Sequence, residues 1–459
     1  MIRFLNVYYP TRTVILLLCE ALIVGGCFVV ASLVLLGPNT MDVLADHHGI
    51  LKIGALTVIT ILCAYYFDLY EPQQLSAPWE IYFRLLLVIG CLSLLLSLVL
   101  FMFPQMDIAR YVLLLGLALV VTFLIVWRRA FEWISGKAMF HERVLVLGNG
   151  PIAANLVSAI RSRKEAGMEV IDFNSPLLDS PDGGGHSYHD VVTRVTELKP
   201  PIHRIVIAME ERRGELPVDD LLAMRMRGVE IEEVGSLLER LTGKLQLEGL
   251  RPSNLLFCEG FNMKQSLQLT QRIASTVIAL IGLLLFLPFF PFVALAIKLS
   301  SKGPIFFSQT RVGLENRTFK VHKFRTMITD AEAKGARWAT KDDPRVTRLG
   351  GFLRKTRIDE IPQLWNVLRG EMSFVGPRPE RPEFTSWLAE EIPFYSLRHM
   401  VRPGLTGWAQ VRYGYGATLA ESREKLSYDL YYLKHKSMGL DLLIMFETIK
   451  TIVRRRGAQ

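Results

Sequence analysis

The sequence predicts a membrane protein with four N-terminal transmembrane helices, then a Rossmann-like α/β domain, then a re-entrant membrane helix leading into a mainly α-helical domain. Three observations predict this class. Apolar residues make up 50% of the 459 residues, and they are clumped into nearly charge-free stretches. From residue 141 the texture changes to short apolar strand patterns alternating with helical ones. Further on, Ile273 to Leu299 forms another apolar stretch, with Pro288 and Pro291 near its middle. The expected divisions are 1–140, 141–250, 251–299 and 300–459.

Residues 12–36, 51–67, 82–103 and 109–127 are long enough as helices to cross a hydrocarbon core of roughly 30 Å. The first run continues without a small-residue cleavage pattern, so no cleavable signal is expected. Arg3 and Arg12 precede the first span, Arg128 and Arg129 close the fourth, and the loop from Met41 to His48 is acidic. The positive-inside rule then gives a cytoplasmic N-terminus, four crossings and a cytoplasmic continuation. His47 and His48 have no further ligands nearby and read as loop residues. Cys19, Cys27, Cys63 and Cys91 lie in apolar spans and Cys258 stands alone, so neither a disulfide framework nor a zinc pattern follows.

The run Arg143-Val-Leu-Val-Leu-Gly-Asn-Gly-Pro-Ile-Ala-Ala reads as a buried strand, a glycine turn and a helix start. Further strands are expected at Arg204-Ile-Val-Ile-Ala and Gly228-Val-Glu-Ile-Glu-Glu-Val, which implies a small parallel α/β domain over about 141–248. Gly148, Gly150 and Ala153 approximate a dinucleotide fingerprint, with Asp172 at a tolerable distance for a ribose contact. The unit is short for two mononucleotide-binding halves, which favours a structural or regulatory module. Asp179 to Ser187, with three glycines from Gly183, reads as a loop tip.

A proline inside a helix removes a backbone donor and crowds the preceding turn, so the stretch from Ile273 should break near Pro288 and Pro291. A full crossing there would carry a remainder dense in Lys and Arg to the outside. A helix that enters one leaflet, breaks and returns on the same face avoids that export. An ordinary kinked crossing is the alternative.

The net charge of +9 suits a membrane surface or a phosphorylated substrate. No zinc-finger, RNA-recognition or helix-turn-helix pattern is legible, so no nucleic-acid partner is expected. A hairpin expected from Gly303 to Met327 carries Arg311, Lys320, Lys323 and Arg325. It is followed by Asp343-Pro-Arg-Val-Thr-Arg-Leu-Gly, then by Arg354 and Arg357 just before the adjacent carboxylates Asp359 and Glu360. Arg378, held between Pro377 and Pro379, comes next. Alone, each feature is ordinary solvated surface. Together, cations converging on two acids make sense if substrate phosphates and Mg²⁺ lie between them, with an arginine fork reading phosphate or uracil.

The order Lys-Phe-Arg-Thr-Met, Asp-Pro-Arg-Val-Thr-Arg-Leu-Gly, Arg-Ile-Asp-Glu-Ile-Pro-Gln-Leu-Trp-Asn-Val-Leu and Gly-Glu-Met-Ser-Phe-Val-Gly-Pro-Arg-Pro-Glu resembles the bacterial polyprenyl-phosphate hexose-1-phosphate transferases over roughly 267–455. These are monotopic phosphoglycosyl transferases, also called bacterial sugar transferases. The four spans and Rossmann-like insert resemble the long form that starts exopolysaccharide and O-antigen repeat units, and the Tyr-Asp-Leu-Tyr-Tyr-Leu segment looks closest to the exopolysaccharide branch.

The resemblance implies transfer of hexose 1-phosphate from a UDP-hexose, with glucose or galactose favoured, to undecaprenyl phosphate. UMP is released, and the product is undecaprenyl-diphospho-hexose. By the resemblance, Asp359 maps to a covalent nucleophile and Glu360 to its Mg²⁺-binding partner, with Asp359 also at the metal. Arg378 maps to nucleotide recognition, and Lys323 and Arg325 to phosphate neutralisation. Arg311, Arg354 and Arg357 complete the expected substrate-binding set. The implied location is the bacterial inner membrane, among membrane lipids and with the catalytic domain on the cytoplasmic face. A homodimer through the membrane or Rossmann-like parts is compatible with this. One departure stands out: many members carry Lys-Arg-x-x-Asp before the broken helix, where this chain has Gln271-Arg272-Ile-Ala-Ser275. An ion pair of Arg272 at that place is lost.

Two other readings compete. A nucleotide-sugar oxidoreductase or epimerase would need a Tyr/Lys or Cys constellation beside the glycine turn, and none is legible. A non-catalytic scaffold of polysaccharide assembly would not require Asp359, Glu360 and Arg378 together. The C-terminal apolar run from Leu440, with its basic end, suits either a membrane surface or core packing.

Overall fold

The computed structural model describes every residue except 5, 41–47, 71–77, 103–109, 137–140, 174–187, 196–200, 210–215, 249, 251, 330–342, 415–417 and 454–459. The acidic loop with His47, the whole glycine-rich loop tip and the basic C-terminal end therefore lie outside the described residues. The chain divides into two units, Met1–Ile2 with Tyr8–Leu237, and Arg3–Val7 with Leu238–Gln459.

The first unit begins with four long apolar helices, α1 (Thr11–Leu36), α2 (Gly49–Tyr66), α3 (Pro78–Met102) and α4 (Arg110–Ser135). Each is long and apolar enough to cross a membrane. Val24, Phe28, Leu56, Val88, Leu92 and Val120 form their shared core. Gly116 admits the Phe28 ring, which a Cβ would meet at 2.5 Å. One carboxylate interrupts the apolar face of α1: Glu20, which pairs with Arg128 Nε of α4 at 2.7 Å. Tyr70 donates its hydroxyl to the same carboxylate at 2.6 Å, and Arg128 donates to the Leu69 carbonyl at 3.1 Å. Arg128, read above as a flanking charge, is thus buried on Glu20, and α4 continues past it as a helix. Removing either partner would strand a charge in apolar surroundings, at about 3–5 kcal/mol.

A four-stranded parallel sheet follows in the order β2-β1-β3-β4, from β1 (Glu142–Leu147), β2 (Met168–Ile171), β3 (Arg204–Ile207) and β4 (Glu230–Glu233). Helices α5 (Pro151–Ser162), α6 (Tyr188–Val195) and α7 (Val218–Met226) connect the strands. Val191, Val192, Leu221 and Met224 pack with Leu145, Leu147 and Ile205. Strand β2, which the sequence pattern did not single out, carries only four residues and depends on pairing with β1. Gly148 has φ +137°, and a Cβ there would lie 2.5 Å from the Ala208 carbonyl oxygen. Close passage of the neighbouring strand therefore accounts for this glycine without a ligand. Asp172 accepts a hydrogen bond from Arg161 at 3.1 Å.

In the second unit α8 (Gln265–Phe286), a 3₁₀ turn at Leu287–Phe289 and α9 (Phe290–Ser300) form one apolar helical stretch. The turn falls at Pro288, which supplies no N–H to the helix ladder. On α8 only a narrow stripe is buried, Gln271, Ser275 and Ala279, and Val277, Ile281, Leu284 and Leu285 are exposed. Arg272 donates to the carbonyls of Val367 (2.8 Å) and Leu368 (3.1 Å), capping α11 (Gln363–Arg369). Ser275, where the resemblance leads one to expect an acid, accepts the Phe374 N–H at 3.2 Å and bonds the Ser373 hydroxyl at 3.1 Å. Backbone capping by Arg272 and a hydroxyl bridge from Ser275 thus hold α8 here.

The turn is seated on the antiparallel hairpin of β5 (Phe306–Val312) and β6 (Thr318–Phe324). Phe286 and Phe290, on either side of the turn, each lie 6.0 Å from the Phe324 ring, which stacks on Phe306 at 5.5 Å. Helix α10 (Arg348–Lys355) starts at Thr347, whose hydroxyl accepts the Gly350 N–H at 2.9 Å. A Cβ on Gly350 would lie 2.0 Å from the Thr326 carbonyl oxygen. Gly350→Ala must therefore push α10 away from the segment that follows β6, and thermal melts are expected to show a loss of about 1–3 kcal/mol. A parallel pair, β7 (Ser373–Val375) with β8 (Gly404–Thr406), and α12 (Pro382–Glu391) follow. The last helices are α13 (Leu419–His435), with a Thr418–Glu421 capping box, and α14 (Met438–Val453). Helix α14 buries Leu440, Leu443 and Ile444, and Leu442 and Ile449 stay exposed. Core packing thus holds one of its faces.

Candidate active site

Between α10 and α11 the chain makes a 3₁₀ turn, Ile358–Glu360, entered through Arg357 at φ 57°. A left-handed arginine is backbone strain held by its surroundings. Here it turns both Asp359 and Glu360 inward, to 6% and 7% exposure. The adjacent acids then have opposite environments. Glu360 Oε1 accepts from Arg378 Nη2 at 2.8 Å and from Lys323 Nζ at 3.0 Å, and Arg357 Nη1 lies 3.7 Å from Oε2. Burial opposes ionisation, but Arg378, Lys323 and Arg357 outweigh it and hold Glu360 well below the usual carboxylate range. Asp359 Oδ1 is buried without a hydrogen-bond partner among the described residues. Burial, then the charge of Glu360, pushes Asp359 up to about 6, against the pull of Lys323, Arg354 and Arg357.

The structure therefore brings together Asp359, Glu360, Lys323, Arg357 and Arg378, with Arg354 held nearby by its Nε bond to the Thr326 hydroxyl at 3.0 Å. Two expected substrate ligands are placed otherwise. Strand β6 ends at Phe324, so Arg325 leaves its alternation and donates to the carbonyls of Ser301 (2.7 Å) and Lys302 (2.9 Å) at the end of α9. In this structure Arg325 braces the end of α9. Arg311 donates to the Pro379 carbonyl at 3.2 Å and lies 3.6 Å from Glu380, so it supports the proline-flanked loop that carries Arg378.

Two supports escaped sequence reasoning. Asn366, fully buried, donates to the Lys320 carbonyl (2.7 Å) and Glu371 (2.6 Å) and accepts the His322 N–H (3.2 Å), tying β6 to α11. Behind Arg378, the buried Arg398 donates to its carbonyl at 3.0 Å and to the Tyr395 hydroxyl at 2.7 Å, and it pairs with Asp429 at 2.8 Å. A polar residue inside the apolar run Leu364–Leu368 was the available signal for Asn366. Asp429 sat in the Tyr-Asp-Leu-Tyr-Tyr-Leu segment.

Oxygen donors suit Mg²⁺, which takes one or two carboxylates and substrate phosphates for the rest of its shell. An orphaned buried carboxylate oxygen beside a second carboxylate fits that set. Among the described residues no group of three or more His, Cys, Asp or Glu converges, so phosphate oxygens would have to complete it.

Residues 265–455 match the bacterial sugar transferase family. The chain is 39% identical over 284 residues to a UDP-N-acetylgalactosamine-undecaprenyl-phosphate N-acetylgalactosaminephosphotransferase of Aeromonas hydrophila, covering 62% of this chain and 63% of that protein. It is 35% identical over 325 residues to an undecaprenyl-phosphate glucose phosphotransferase of Komagataeibacter xylinus, covering 69% and 60%. It is 31% identical over 338 residues to a UDP-glucose:undecaprenyl-phosphate glucose-1-phosphate transferase of Escherichia coli K12, covering 69% of each chain. In the first two cases the match spans less than two thirds of the relative's length. The chain belongs to the bacterial sugar transferase family.

Proposed function

We propose that this chain transfers hexose 1-phosphate from a UDP-hexose to undecaprenyl phosphate, as the first step of exopolysaccharide or O-antigen repeat-unit synthesis. The observation that carries the reading is the split pair: an unpartnered Asp359 beside a Glu360 tied to Lys323, Arg357 and Arg378. An Asp359 carboxylate oxygen attacks the sugar-bearing phosphorus. The bond from that phosphorus to the bridging oxygen breaks, and UMP leaves with the electron pair. An oxygen of undecaprenyl phosphate then attacks the same phosphorus and expels the Asp359 carboxylate. Two moderate barriers replace one high barrier. Lys323, Arg357 and Arg378 supply fixed positive charge where phosphate charge shifts. Asp359 and Glu360 would hold Mg²⁺, which supplies further neutralisation of the phosphate oxygens.

The direct test is UMP release from UDP-glucose, UDP-galactose, UDP-N-acetylglucosamine and UDP-N-acetylgalactosamine with undecaprenyl phosphate and Mg²⁺. UMP from at least one donor is expected, and none from any donor would refute the reading. The names of the relatives divide between glucose and N-acetylgalactosamine, so the panel also decides the sugar. Because Asp359 must be ionised to attack and titrates at about 6, kcat/KM should fall about tenfold per pH unit below that value and level off above it. A profile flat from pH 5 to 8 would contradict this role.

We further propose that α1–α4 cross the inner membrane as one bundle, with a cytoplasmic Rossmann-like domain after them, and that α8 and α9 enter and leave on the cytoplasmic face. Pro288 at the 3₁₀ turn and the exposed apolar side chains on both arms support the re-entrant reading. In a cysteine-free background, cysteines at 268 and 302 should both be labelled from the cytoplasmic side. Labelling of the two from opposite sides would replace re-entry with a crossing.

A further inference from the structure

Away from the acid pair, the start of α8 borders a small cavity of about 40 Å³ that shares no lining residue with the site of Asp359. Three cations line it: Arg272, Arg402 and Lys436. Arg272 spends both Nη groups on the carbonyls of α11. Arg402 uses only Nε, donated to the Gly370 carbonyl at 3.2 Å. Among the described residues, no hydrogen bond or ion pair engages the Nη groups of Arg402 or the Nζ of Lys436, although Lys436 is half-buried. The acid that acts on Lys436 is Asp441, whose oxygens are already taken by Tyr432 at 2.9 Å and Gln271 at 2.6 Å.

Like charges gathered in a partly desolvated cavity repel one another. Burial and the neighbouring Arg402 push Arg272 down from its ordinary value, and burial does the same to Lys436. Such an arrangement is favourable once an anion enters. The unused donors are the fork of an arginine and the point charge of a lysine, a pairing suited to the tetrahedral oxygens of phosphate. The cavity is small, which points to a compact anion.

We propose that Arg402 and Lys436, backed by Arg272, form a second phosphate-binding site, separate from the transfer site. Two sources offer this chemistry: the headgroup of an anionic phospholipid, or a soluble phosphate. The lipid source relies on the re-entrant reading, which sets the start of α8 at the headgroup level. The site itself does not rely on that reading.

The test is thermal unfolding of the full chain in detergent, with no sugar donor present. One arm adds inorganic phosphate against chloride at equal ionic strength. The other adds phosphatidylglycerol against phosphatidylcholine. The wild-type midpoint is expected to rise by about 5 °C in one arm. The rise should persist in Lys436→Arg and disappear in Lys436→Gln. Lys436 makes no bond that the fold needs, so the variants should melt normally without ligand. Arg402→Gln provides an independent second loss, and phospholipid counted per purified chain provides a readout that does not depend on melting. A phosphate response assigns a soluble ligand, and a phosphatidylglycerol response alone assigns a lipid. Equal shifts in wild type and Lys436→Gln in both arms, with equal bound phospholipid, would overturn the site. Because UMP release is not measured, this outcome is independent of the transferase reading.

Discussion

Asp359→Asn is expected to lose UMP release by about 10³-fold or more while making the folded protein more stable. The first effect follows from the proposed covalent role of Asp359: an amide cannot serve as the nucleophile, and its removal leaves only binding and electrostatic catalysis. The second follows from the sign of the shift. Asp359 is raised from 3.8 to about 6 by burial and by the charge of Glu360. A carboxyl raised on folding holds its proton longer in the native state than in the unfolded chain. Stability is therefore lost as pH climbs from about 4 through about 6, and the full penalty remains above that. An uncharged amide of the same shape escapes it, for a gain of about 1–3 kcal/mol at pH 7.5. Melts and activity on the same preparation test both halves. An Asp359→Asn protein that keeps full turnover removes Asp359 as nucleophile, and one that melts lower shows that Asp359 is held by favourable contacts.

Glu360→Gln is expected to act in the opposite direction on stability. Glu360 accepts from Lys323 and Arg378 and faces Arg357, so an amide leaves three cations without a counter-charge. Removing one side of a buried pair costs about 3–5 kcal/mol when both groups are enclosed. Lys323, Arg357 and Arg378 retain about a quarter of their side-chain exposure, so solvent screening reduces the expectation to about 1–3 kcal/mol. Activity should fall about 10²–10³-fold because the cations lose the carboxylate that orients them. Glu360→Asp should restore much of the stability but less of the turnover. If Glu360→Gln and Asp359→Asn shift the midpoint in the same direction, the two acids do not have the separate environments described above.

Much of the architecture could be read from residue type and spacing. The four apolar stretches became α1–α4, the alternating run from Gly303 became β5–β6, and the proline pair marked the 3₁₀ turn. Boundaries failed where a distant partner set them. Helix α4 was expected to end near residue 127 because arginines follow, yet it runs to Ser135, since Glu20 neutralises Arg128 inside the bundle. Strand β2 was missed because four residues carry little pattern until β1 pairs with them. Gly148 fits a nucleotide fingerprint by spacing, and only the fold shows that the Ala208 carbonyl packs against it.

Sequence by itself determined the chemical inventory near the site: two adjacent acids, a proline-flanked arginine and a supply of cations. It could not assign the cations to partners, because attraction depends on separation in space. Lys323 and Arg325 are two residues apart and would share a face if β6 continued. The strand ends between them, so Lys323 meets Glu360 and Arg325 turns to the carbonyls that end α9. Only the tertiary structure decided which acid is neutralised and which is left bare. Burial next to fixed charge then leaves Glu360 tied to its cations and Asp359 without a partner among the described residues, the difference on which the proposed roles rest.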